Sequence, residues 1–246
     1  MEKKPVIVSY GGGTNSTAML IGMVEREIPV DMIVFADTGG ERPGTYAYVE
    51  VFSDWLVSKG YPPIVTVANE ETLEDNCLKA KRMPSIVYGF KSCSDRWKRR
   101  PIKRFIRKVM PKTDVTMPIG IDSEEAHRAK TSQEKWITHT YPLLDWNWGR
   151  DECVDAIEKV GLPQPGKSSC FFCPSMRTRE IIQLNKCHPD LLQRAVAMER
   201  NASETTYGTI VGLGRTWTWE SLVKADEAQL KMFSDRTDVA CGCYDG

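Results

Sequence analysis

The alternation of short apolar runs with amphipathic segments near the N-terminus is the feature that most constrains the fold. Apolar runs at 6–8, 31–36 and 64–67 predict buried strands. The segments between them, 14–26 and 46–57, have the apolar spacing of helices. Strands and helices connected in this way form parallel sheets with right-handed crossovers. The sequence therefore predicts a doubly wound α/β fold, in which a ligand lies beyond the carboxyl ends of the strands.

The remainder of the chain adds two predicted strands and a largely helical C-terminal part. A chain of 246 residues is long enough for one sizeable domain. We place an α/β core in residues 1–145 and a helical, cysteine-bearing region, which is not an independent domain, in residues 146–246. The further predicted strands are 115–120 and 136–143, and the further predicted helices are 97–110, 150–160, 180–200 and 219–233.

Composition and charge exclude several classes of protein. Apolar residues make up 41% and charged residues 27% of the chain, which is typical of a globular protein and not of a disordered one. No apolar run approaches the roughly 18–20 residues that a membrane-spanning helix needs. The first residues lack an apolar signal region, so we expect a cytoplasmic protein with no membrane partner. Lysine plus arginine and aspartate plus glutamate are 33 each, so any affinity for nucleic acid must come from a local basic patch.

A glycine-rich turn follows the first predicted strand and precedes the first predicted helix. Glycine lets the backbone approach a ligand and adopt positive φ angles, and free amides at a helix N-terminus favour an anion. Hydroxyl side chains beside them can donate to phosphate oxygens. A plain glycine-rich connection is the alternative, because such turns alone are weak evidence of a ligand. The candidate phosphate-binding residues are Ser9, Gly11, Gly12, Gly13, Asn15, Ser16 and Thr17.

The same segment resembles the pyrophosphate loop Ser-Gly-Gly-x-Asp-Ser of the adenine nucleotide alpha-hydrolase-like superfamily. That group contains the PP-loop ATP pyrophosphatases, sulfurtransferases and the phosphoadenosine phosphosulfate (PAPS) reductases. Gly12, Gly13 and Ser16 keep the pattern, whereas Gly11 stands where the superfamily usually has Ser and Asn15 where it usually has Asp. The resemblance implies the doubly wound fold and an adenine nucleotide as ligand. That nucleotide is either ATP, with Mg²⁺ as a candidate cofactor, or PAPS or adenylylsulfate.

Three further segments extend the resemblance over most of residues 5–200. The segment after the second strand is similar to the Asp-Thr-Gly…Pro-x-Thr segment of the superfamily. Residues 93–101 resemble the Cys-x-x-Arg-Lys…Pro segment of sulfonucleotide reductases, and residues 120–128 resemble a Gly…Glu-Ser…Arg segment. The resemblance implies nucleotide contacts by Asp37, Thr38, Gly39, Lys98 and Arg128, and a catalytic role for Arg96.

Eight cysteines in a chain without a signal region favour metal or redox chemistry over disulfides. Cys170-x-x-Cys173 has the spacing of a chelating loop. Cys93 stands where cluster-bearing adenylylsulfate reductases carry adjacent cysteines, so the resemblance implies a [4Fe-4S] cluster on Cys93, Cys170 and Cys173. A structural zinc ion and merely buried thiols are the alternatives. Cys77 and Cys153 lie in helical patterns, and we expect them to pack in the core.

The end of the chain and a basic segment each allow two interpretations. Cys241-Gly242-Cys243 resembles the C-terminal segment whose cysteine attacks the sulfate sulfur in sulfonucleotide reductases, which implies that Cys241 is a catalytic nucleophile. A tail with incidental thiols or a pair of metal ligands is the alternative. Residues 96–108 are rich in lysine and arginine, which indicates either a phosphate-binding segment or a solvated basic face.

Two enzymes and one binding module fit these features. In the first, which the loop favours, ATP is split at its α-phosphate, AMP passes to a substrate oxygen, and a sulfur nucleophile displaces it. This resembles the ATP pyrophosphatases of DNA phosphorothioation and tRNA thiolation, which implies a cysteine desulfurase as sulfur donor and DNA or tRNA as acceptor. In the second, which the cysteines favour, the chain reduces PAPS or adenylylsulfate through Cys241, with thioredoxin as partner. The third is a non-catalytic, zinc-stabilised nucleotide-binding module, which Asn15 supports.

Overall fold

The computed structural model describes residues 4–90, 92–202 and 209–237, with side chains to residue 229. Five strands and ten α-helices lie in those ranges. The strands are β1 (Ile7–Tyr10), β2 (Met32–Asp37), β3 (Ile64–Ala68), β4 (Val115–Pro118) and β5 (Ile137–Thr140). The helices are α1 (Thr14–Glu25), α2 (Pro43–Ser58), α3 (Leu73–Lys79), α4 (Ser92–Ser94), α5 (Arg100–Val109), α6 (Pro142–Asp145), α7 (Arg150–Lys159), α8 (Thr178–Cys187), α9 (Pro189–Ala202) and α10 (Trp219–Thr237).

Prolines explain two differences between these elements and the sequence expectations. The strand expected over 136–143 ends at Thr140, because Pro142 begins α6 at a position that proline favours. The single helix expected over 180–200 is two helices, because the backbone at His188 leaves the helical region and Pro189 begins α9. Helix α3 was not among the expected elements.

The chain divides into two compact units. The first unit comprises residues 1–72 and 93–170, and the second comprises residues 73–92 and 171–246. The first unit contains all five strands together with α1, α2, α5, α6 and α7, so it is the α/β core. The second unit is helical. The boundary at 145/146 that the sequence suggests stays a prediction.

The strands of the first unit form a parallel arrangement with the order β3-β2-β1-β4-β5. Parallel ladders join β1 to β2, β2 to β3 and β4 to β5. A parallel bridge between Val6 and Thr116 links the β1 side to β4, where the Thr116 amide donates to the Pro5 carbonyl at 2.8 Å. The chain order runs one way from β1 to β3 and the other way from β4 to β5. The doubly wound α/β fold is therefore confirmed, with its switch point between β1 and β4.

Alternate residues of the strands face two separate apolar layers. Val8 and Phe35 pack with side chains of α1, α2 and α7 on one face of the sheet. Ile7 and Val34 pack with Ile102 and Ile106 of α5 on the other face. This period of two follows from the pleat of a β-strand, and it places helices on both faces as a doubly wound sheet requires.

A buried glutamate organises the second unit. Glu199 of α9 is 3% exposed and accepts from the backbone amides of Leu213 at 2.7 Å and Trp219 at 2.9 Å. Burial raises the pKa of this carboxyl above its ordinary value, while the backbone hydrogen bonds act in the opposite direction. Arg194 pairs with Glu74 through two hydrogen bonds, which ties α9 to α3. These polar pairs therefore hold α9 against α3 and against the segment that runs from Leu213 to the start of α10.

The two cysteines expected in the core are buried. Cys77 is 2% exposed and Cys153 is 0% exposed, as their helical patterns predict. Burial raises the pKa of the Cys153 thiol to about 12, so that sulfur stays protonated and packs as an apolar group. None of the helices in the described ranges combines the length and apolarity that crossing a membrane requires.

Candidate functional site

The connection between β1 and α1 has the glycine geometry that the sequence predicts. Gly12 has a φ of +72°, and a Cβ at this position would lie 3.1 Å from Thr45 Cγ2. Gly13 is the N-cap of α1, with a φ of −119° and a ψ of 174°, and no side chain caps the helix. The amides in the first turn of this 12-residue helix therefore lack a side-chain acceptor, which is the arrangement that binds phosphate.

Two serine hydroxyls fix the glycine loop from either side. Ser16 Oγ donates to the Gly13 carbonyl at 3.0 Å and accepts from the Gly11 amide at 3.3 Å. The Ser168 hydroxyl donates to the Gly11 carbonyl. A Cβ added to Gly13 would lie 3.7 Å from Ser168 Cβ. The loop is thus held by hydrogen bonds of this chain, and a preorganised loop loses less entropy when it binds a ligand.

Thr17 and Ser9 lie on other sides of the loop. Thr17 is fully buried, and its hydroxyl shares a 3.0 Å hydrogen bond with the Tyr10 phenol. Burial raises the pKa of Tyr10, so the phenol remains neutral. Ser9 alternates with Tyr10 along β1 and lines a cavity on the α5 face of the sheet. Thr17 therefore supports the core beneath the loop, and its role as a phosphate ligand stays a prediction.

Asn15 belongs to a network that the sequence spacing did not reveal. Asn15 Nδ2 donates to Asp122 Oδ2 at 2.8 Å, and Arg150 Nη1 donates to Asn15 Oδ1 at 3.3 Å. An aspartate at position 15 would place a second carboxylate against Asp122, which is 4% exposed. Gly120 keeps the β4 connection close, because a Cβ there would lie 3.0 Å from the Asn15 carbonyl oxygen. The asparagine therefore suits a neighbour that is 107 residues away in the sequence.

The predicted Asp37-Thr38-Gly39 segment forms a tight turn after β2. Asp37 Oδ1 accepts from the Gly39 amide at 2.8 Å and from the Tyr46 hydroxyl at 2.7 Å. Gly39 has a φ of +72°, and a Cβ there would lie 2.4 Å from Thr72 Cγ2. Burial and the neighbouring Asp37 carboxylate raise the pKa of Tyr46, so its hydroxyl remains a donor. Asp37 therefore shapes the turn.

The same turn contacts one of the predicted metal-ligating cysteines. Thr38 Oγ1 lies 3.1 Å from Cys170 Sγ, and Cys170 is 9% exposed. An antiparallel bridge pairs Glu41 with Cys170. Residues 168–170 therefore run from the glycine loop to the turn after β2, and both lie at the carboxyl end of the central strands.

Lys98 and Arg96 lie on a single turn of π-helix, Asp95–Arg99, that precedes α5. Lys98 Nζ is 2.7 Å from Oε1 of Glu41, whose side chain is fully buried. Arg96 is exposed, and its guanidinium lies 4.6 Å from the centroid of the Trp97 ring. The structure therefore brings Lys98 to the turn after β2 and leaves Arg96 at the surface of this segment. Their predicted roles toward a nucleotide stay predictions.

A cavity of about 320 Å³ opens on the α5 face of the sheet, beside the switch point. Ser9 of β1 and Met117 of β4 both line it. Its other apolar lining includes Ile102, Ile119 and Ile121, and its cationic lining includes Arg99, Lys103, Arg128 and Lys130. An apolar cavity with positive charge fits a ligand that has a flat apolar part and an anionic part. Arg128, which pairs with Glu125, is thereby placed at the same cavity as Ser9.

The predicted metal ligands are divided between the two units. Cys93 is half-buried and Cys170 is buried in the first unit, and Cys173 belongs to the second unit. Across the described ranges, no three His, Cys, Asp or Glu side chains lie close enough together to hold a metal ion. The assignment of Cys93, Cys170 and Cys173 as cluster ligands stays a prediction. Cys241 and Cys243 lie outside the described residues.

Comparison with known proteins decides the family. A family model described as phosphoadenosine phosphosulfate reductase domain matches residues 5–151, which include the glycine loop, the turn after β2 and the cavity-lining strands. The chain belongs to the phosphoadenosine phosphosulfate reductase domain family. The predicted recognition is confirmed, and the family is one of nucleotide-binding, sulfur-related enzymes.

Two individual proteins are also similar to this chain. The uncharacterized protein MJ0066 of Methanocaldococcus jannaschii is 26% identical over 236 aligned positions, which cover 89% of this chain. This chain spans 45% of the length of that protein. The solved structure of the U34-tRNA thiolase NcsA from Methanococcus maripaludis with its [4Fe-4S] cluster has 19% sequence identity and a TM-score of 0.47. That comparison covers 91% of this chain and 81% of the other.

Proposed function

We propose that this member of the reductase domain family is an AMP-forming ATP pyrophosphatase that activates a substrate for sulfur insertion. A substrate oxygen attacks the α-phosphorus of ATP, and the bond to the β-phosphate oxygen breaks to release pyrophosphate. A sulfur nucleophile then attacks the atom that carries the new O–AMP group, and AMP leaves with that oxygen. The observation that carries the proposal is the uncapped N-terminus of α1 behind Gly11–Gly13.

The geometry around the loop supports a nucleotide with its phosphates at α1. The loop lies at the carboxyl end of β1, where ligands of doubly wound sheets bind. Ser9 connects it to the cavity, whose volume of about 320 Å³ and apolar lining suit a nucleoside. Arg128 and Lys130 in that lining provide positive charge for phosphate oxygens. A nucleotide in this place would have its reacting phosphate beside Ser16 and the Gly13 amide.

The choice of ATP over PAPS rests on the loop pattern. Gly12-Gly13-x-x-Ser16 keeps the ATP-type sequence that true sulfonucleotide reductases lose. Mg²⁺ would accompany ATP, with phosphate oxygens and water as most of its ligands. We infer a nucleic acid, DNA or tRNA, as the sulfur acceptor and a cysteine desulfurase as the sulfur donor.

A reductase is the second candidate, and the match to the reductase domain favours it. In that reaction a cysteine thiolate attacks the sulfur of the sulfonyl group, and the nucleotide leaves with the bridging oxygen. A second thiol, as from thioredoxin, then attacks the cysteine sulfur, which releases sulfite and leaves a disulfide. Cys241 is the cysteine that the sequence offers for this attack.

A metal centre is a separate part of the proposal. Cys170 and Cys173 have the spacing of a chelating loop in the sequence. The iron–sulfur cluster and its zinc alternative are therefore predictions about composition, and metal analysis tests them directly.

The test is to identify the products from each nucleotide. The full chain is purified without oxygen and incubated either with ATP, Mg²⁺, a DNA or tRNA acceptor and sulfide, or with PAPS and a thiol reductant. We expect AMP and pyrophosphate from ATP, and no sulfite from PAPS. Sulfite from PAPS with no AMP from ATP would establish the reductase instead. Binding of both nucleotides without any product would support the non-catalytic module.

A further inference from the structure

Unsatisfied buried polar atoms are concentrated at one place in the first unit. Among the described residues, five buried side-chain nitrogen and oxygen atoms lack a hydrogen-bond partner. Four of the five are Glu41 Oε2, Arg42 Nε, Arg42 Nη2 and Ser169 Oγ, and the fifth is Tyr48 Oη. Buried polar groups are almost always paired, because an unpaired one loses its hydration without compensation. A cluster of such atoms therefore indicates that something else completes it.

The arginine and the serine each adjoin a backbone bridge between their two segments. Glu41 and Cys170 form an antiparallel bridge. Arg42 directly follows Glu41, and Ser169 directly precedes Cys170. The unpaired donors, two guanidinium nitrogens and one hydroxyl, therefore belong to residues that each adjoin this bridge.

The charges at this place leave one cation without a described counterpart. Glu41 has a 2.7 Å ion pair with Lys98, so its negative charge is balanced. Among the described side chains, no ion pair is formed by Arg42. A guanidinium with two buried, unused nitrogens favours an anion, and it can bind two oxygens of a phosphate or sulfate side by side.

The N-terminus of helix α2 offers few free backbone amides to an anion beside Arg42. Arg42 is its N-cap, and Pro43 has no amide hydrogen to offer. The amides of Thr45 and Tyr46 both donate to the Arg42 carbonyl, at 2.9 and 3.4 Å. The recognition must therefore come mainly from the Arg42 and Ser169 side chains.

Both segments that carry these donors contact the glycine loop. Ser168, next to Ser169, donates to the Gly11 carbonyl. Thr45, in the first turn after Arg42, would lie 3.1 Å from a Cβ at Gly12. An anion at Arg42 and Ser169 would consequently lie next to a phosphate that the loop holds.

We propose that Arg42 and Ser169 form a second oxyanion subsite, which binds a further phosphate or sulfate group of the nucleotide whose first phosphate lies at the glycine loop. This inference rests on the proposed use of the loop for a nucleotide, and it adds a specificity determinant to it. The oxyanion comes either from the polyphosphate chain of ATP or from the sulfo or 3′-phosphate group of PAPS.

The test compares Arg42→Gln with wild type by calorimetric titration of ATP, AMP, PAPS, adenylylsulfate and inorganic pyrophosphate. We expect Arg42→Gln to weaken binding of at least one nucleotide with an additional oxyanion by tenfold or more, and AMP by less than twofold. A loss of affinity for ATP relative to AMP identifies the polyphosphate chain as the source of the bound oxyanion. Loss for PAPS relative to adenylylsulfate identifies the 3′-phosphate. Arg104→Gln, which removes the same charge from an exposed position of α5, should change none of these affinities.

The stability of the ligand-free protein separates binding from structure. Because two nitrogens of the Arg42 guanidinium are buried without partners, Arg42→Gln should have an unfolding midpoint equal to or above that of wild type. Ser169→Ala should likewise fold normally and weaken binding of the same nucleotides. Three results would each overturn the subsite. They are an equal loss of affinity for AMP and for the larger nucleotides, unchanged affinity for all of the nucleotides, and a lower unfolding midpoint of the ligand-free variant.

Inorganic pyrophosphate distinguishes failure of the subsite from failure of the proposed function. If wild type binds neither ATP nor PAPS, the proposed function fails, but pyrophosphate still probes the oxyanion site. Tenfold weaker pyrophosphate binding by Arg42→Gln then supports the subsite, and pyrophosphate binding that Arg42→Gln leaves unchanged overturns it.

Discussion

Replacing Gly39 with alanine should destabilise the turn after β2 for two separable reasons. The φ of +72° at Gly39 is a conformation that costs a residue with a Cβ about 1–2 kcal/mol. The added Cβ would lie 2.4 Å from Thr72 Cγ2 and 2.6 Å from Thr72 Cβ. Overpacking of this kind costs about 1–3 kcal/mol. The free energy of unfolding should therefore fall by about 2–5 kcal/mol.

Two other glycines provide matched controls for this substitution. Gly60 has a φ of +78°, and a Cβ added there would have nothing within 4 Å, so Gly60→Ala should lose only the first cost, about 1–2 kcal/mol. Gly44 lies in the first turn of α2 with a negative φ and open space, so Gly44→Ala should gain up to about 1 kcal/mol.

Chemical denaturation followed by far-ultraviolet circular dichroism measures all three variants. Combining Gly39→Ala with Thr72→Gly should recover part of the loss, because it removes the crowded side chain. A Gly39→Ala variant that is no less stable than Gly60→Ala would refute the packing argument at this turn.

Three further predictions concern the second unit, the cysteines and the basic segment. Glu199→Ala should cost about 2–4 kcal/mol in denaturant unfolding, because it leaves the backbone amides of Leu213 and Trp219 without their acceptor. Because burial raises the pKa of Glu199, the folded state holds that proton more tightly than the unfolded state. The free energy of unfolding of wild type relative to Glu199→Gln should therefore fall as the pH rises above the ordinary glutamate range. A difference in unfolding free energy that does not change with pH would contradict this. Iron and zinc analysis should find metal in wild type and none in Cys170→Ser or Cys173→Ser. Wild-type protein without iron or zinc would exclude the metal centre. Arg96→Ala should weaken nucleic-acid binding and lower its salt-dependence slope by about 1, and an unchanged slope would identify a solvated face.

Local patterns were sufficient to predict the α/β core. The apolar runs before Gly11 and before Asp37 correspond to β1 and β2, because buried strands of a parallel sheet are apolar throughout. The glycine loop was also predictable, since φ angles such as that of Gly12 leave few other residue types. The proline at 189 was a readable signal for the break between α8 and α9, but the helical periodicity continues across it.

Contacts between distant parts of the chain could not be predicted from local patterns. Asn15 and Asp122 are 107 residues apart, and no spacing rule connects them. Arg42 and Ser169 adjoin the bridge between Glu41 and Cys170, and the sequence indicates only that the second segment is a loop rich in Pro, Gly, Ser and Cys. The tertiary structure determines which polar residues become neighbours, and these contacts determine which groups the candidate site offers to a ligand.

Gly13→Asp tests the central claim, that the N-terminus of α1 holds the phosphates of a nucleotide. Gly13 is the N-cap, its φ is −119°, and a Cβ would lie 3.7 Å from its nearest neighbour, so the substitution causes no strain. Aspartate is a favoured N-cap residue, and its carboxylate would take the same amides that a phosphate needs. Gly13→Asn caps the helix without the charge and serves as the control.

The decisive measurement is the dissociation constant for ATP, taken together with the free energy of unfolding of each variant. Gly13→Asp should fold with stability equal to or above that of wild type and bind ATP at least 100-fold more weakly, while Gly13→Asn retains more of the affinity. A folded Gly13→Asp protein that binds ATP as tightly as wild type would contradict the account.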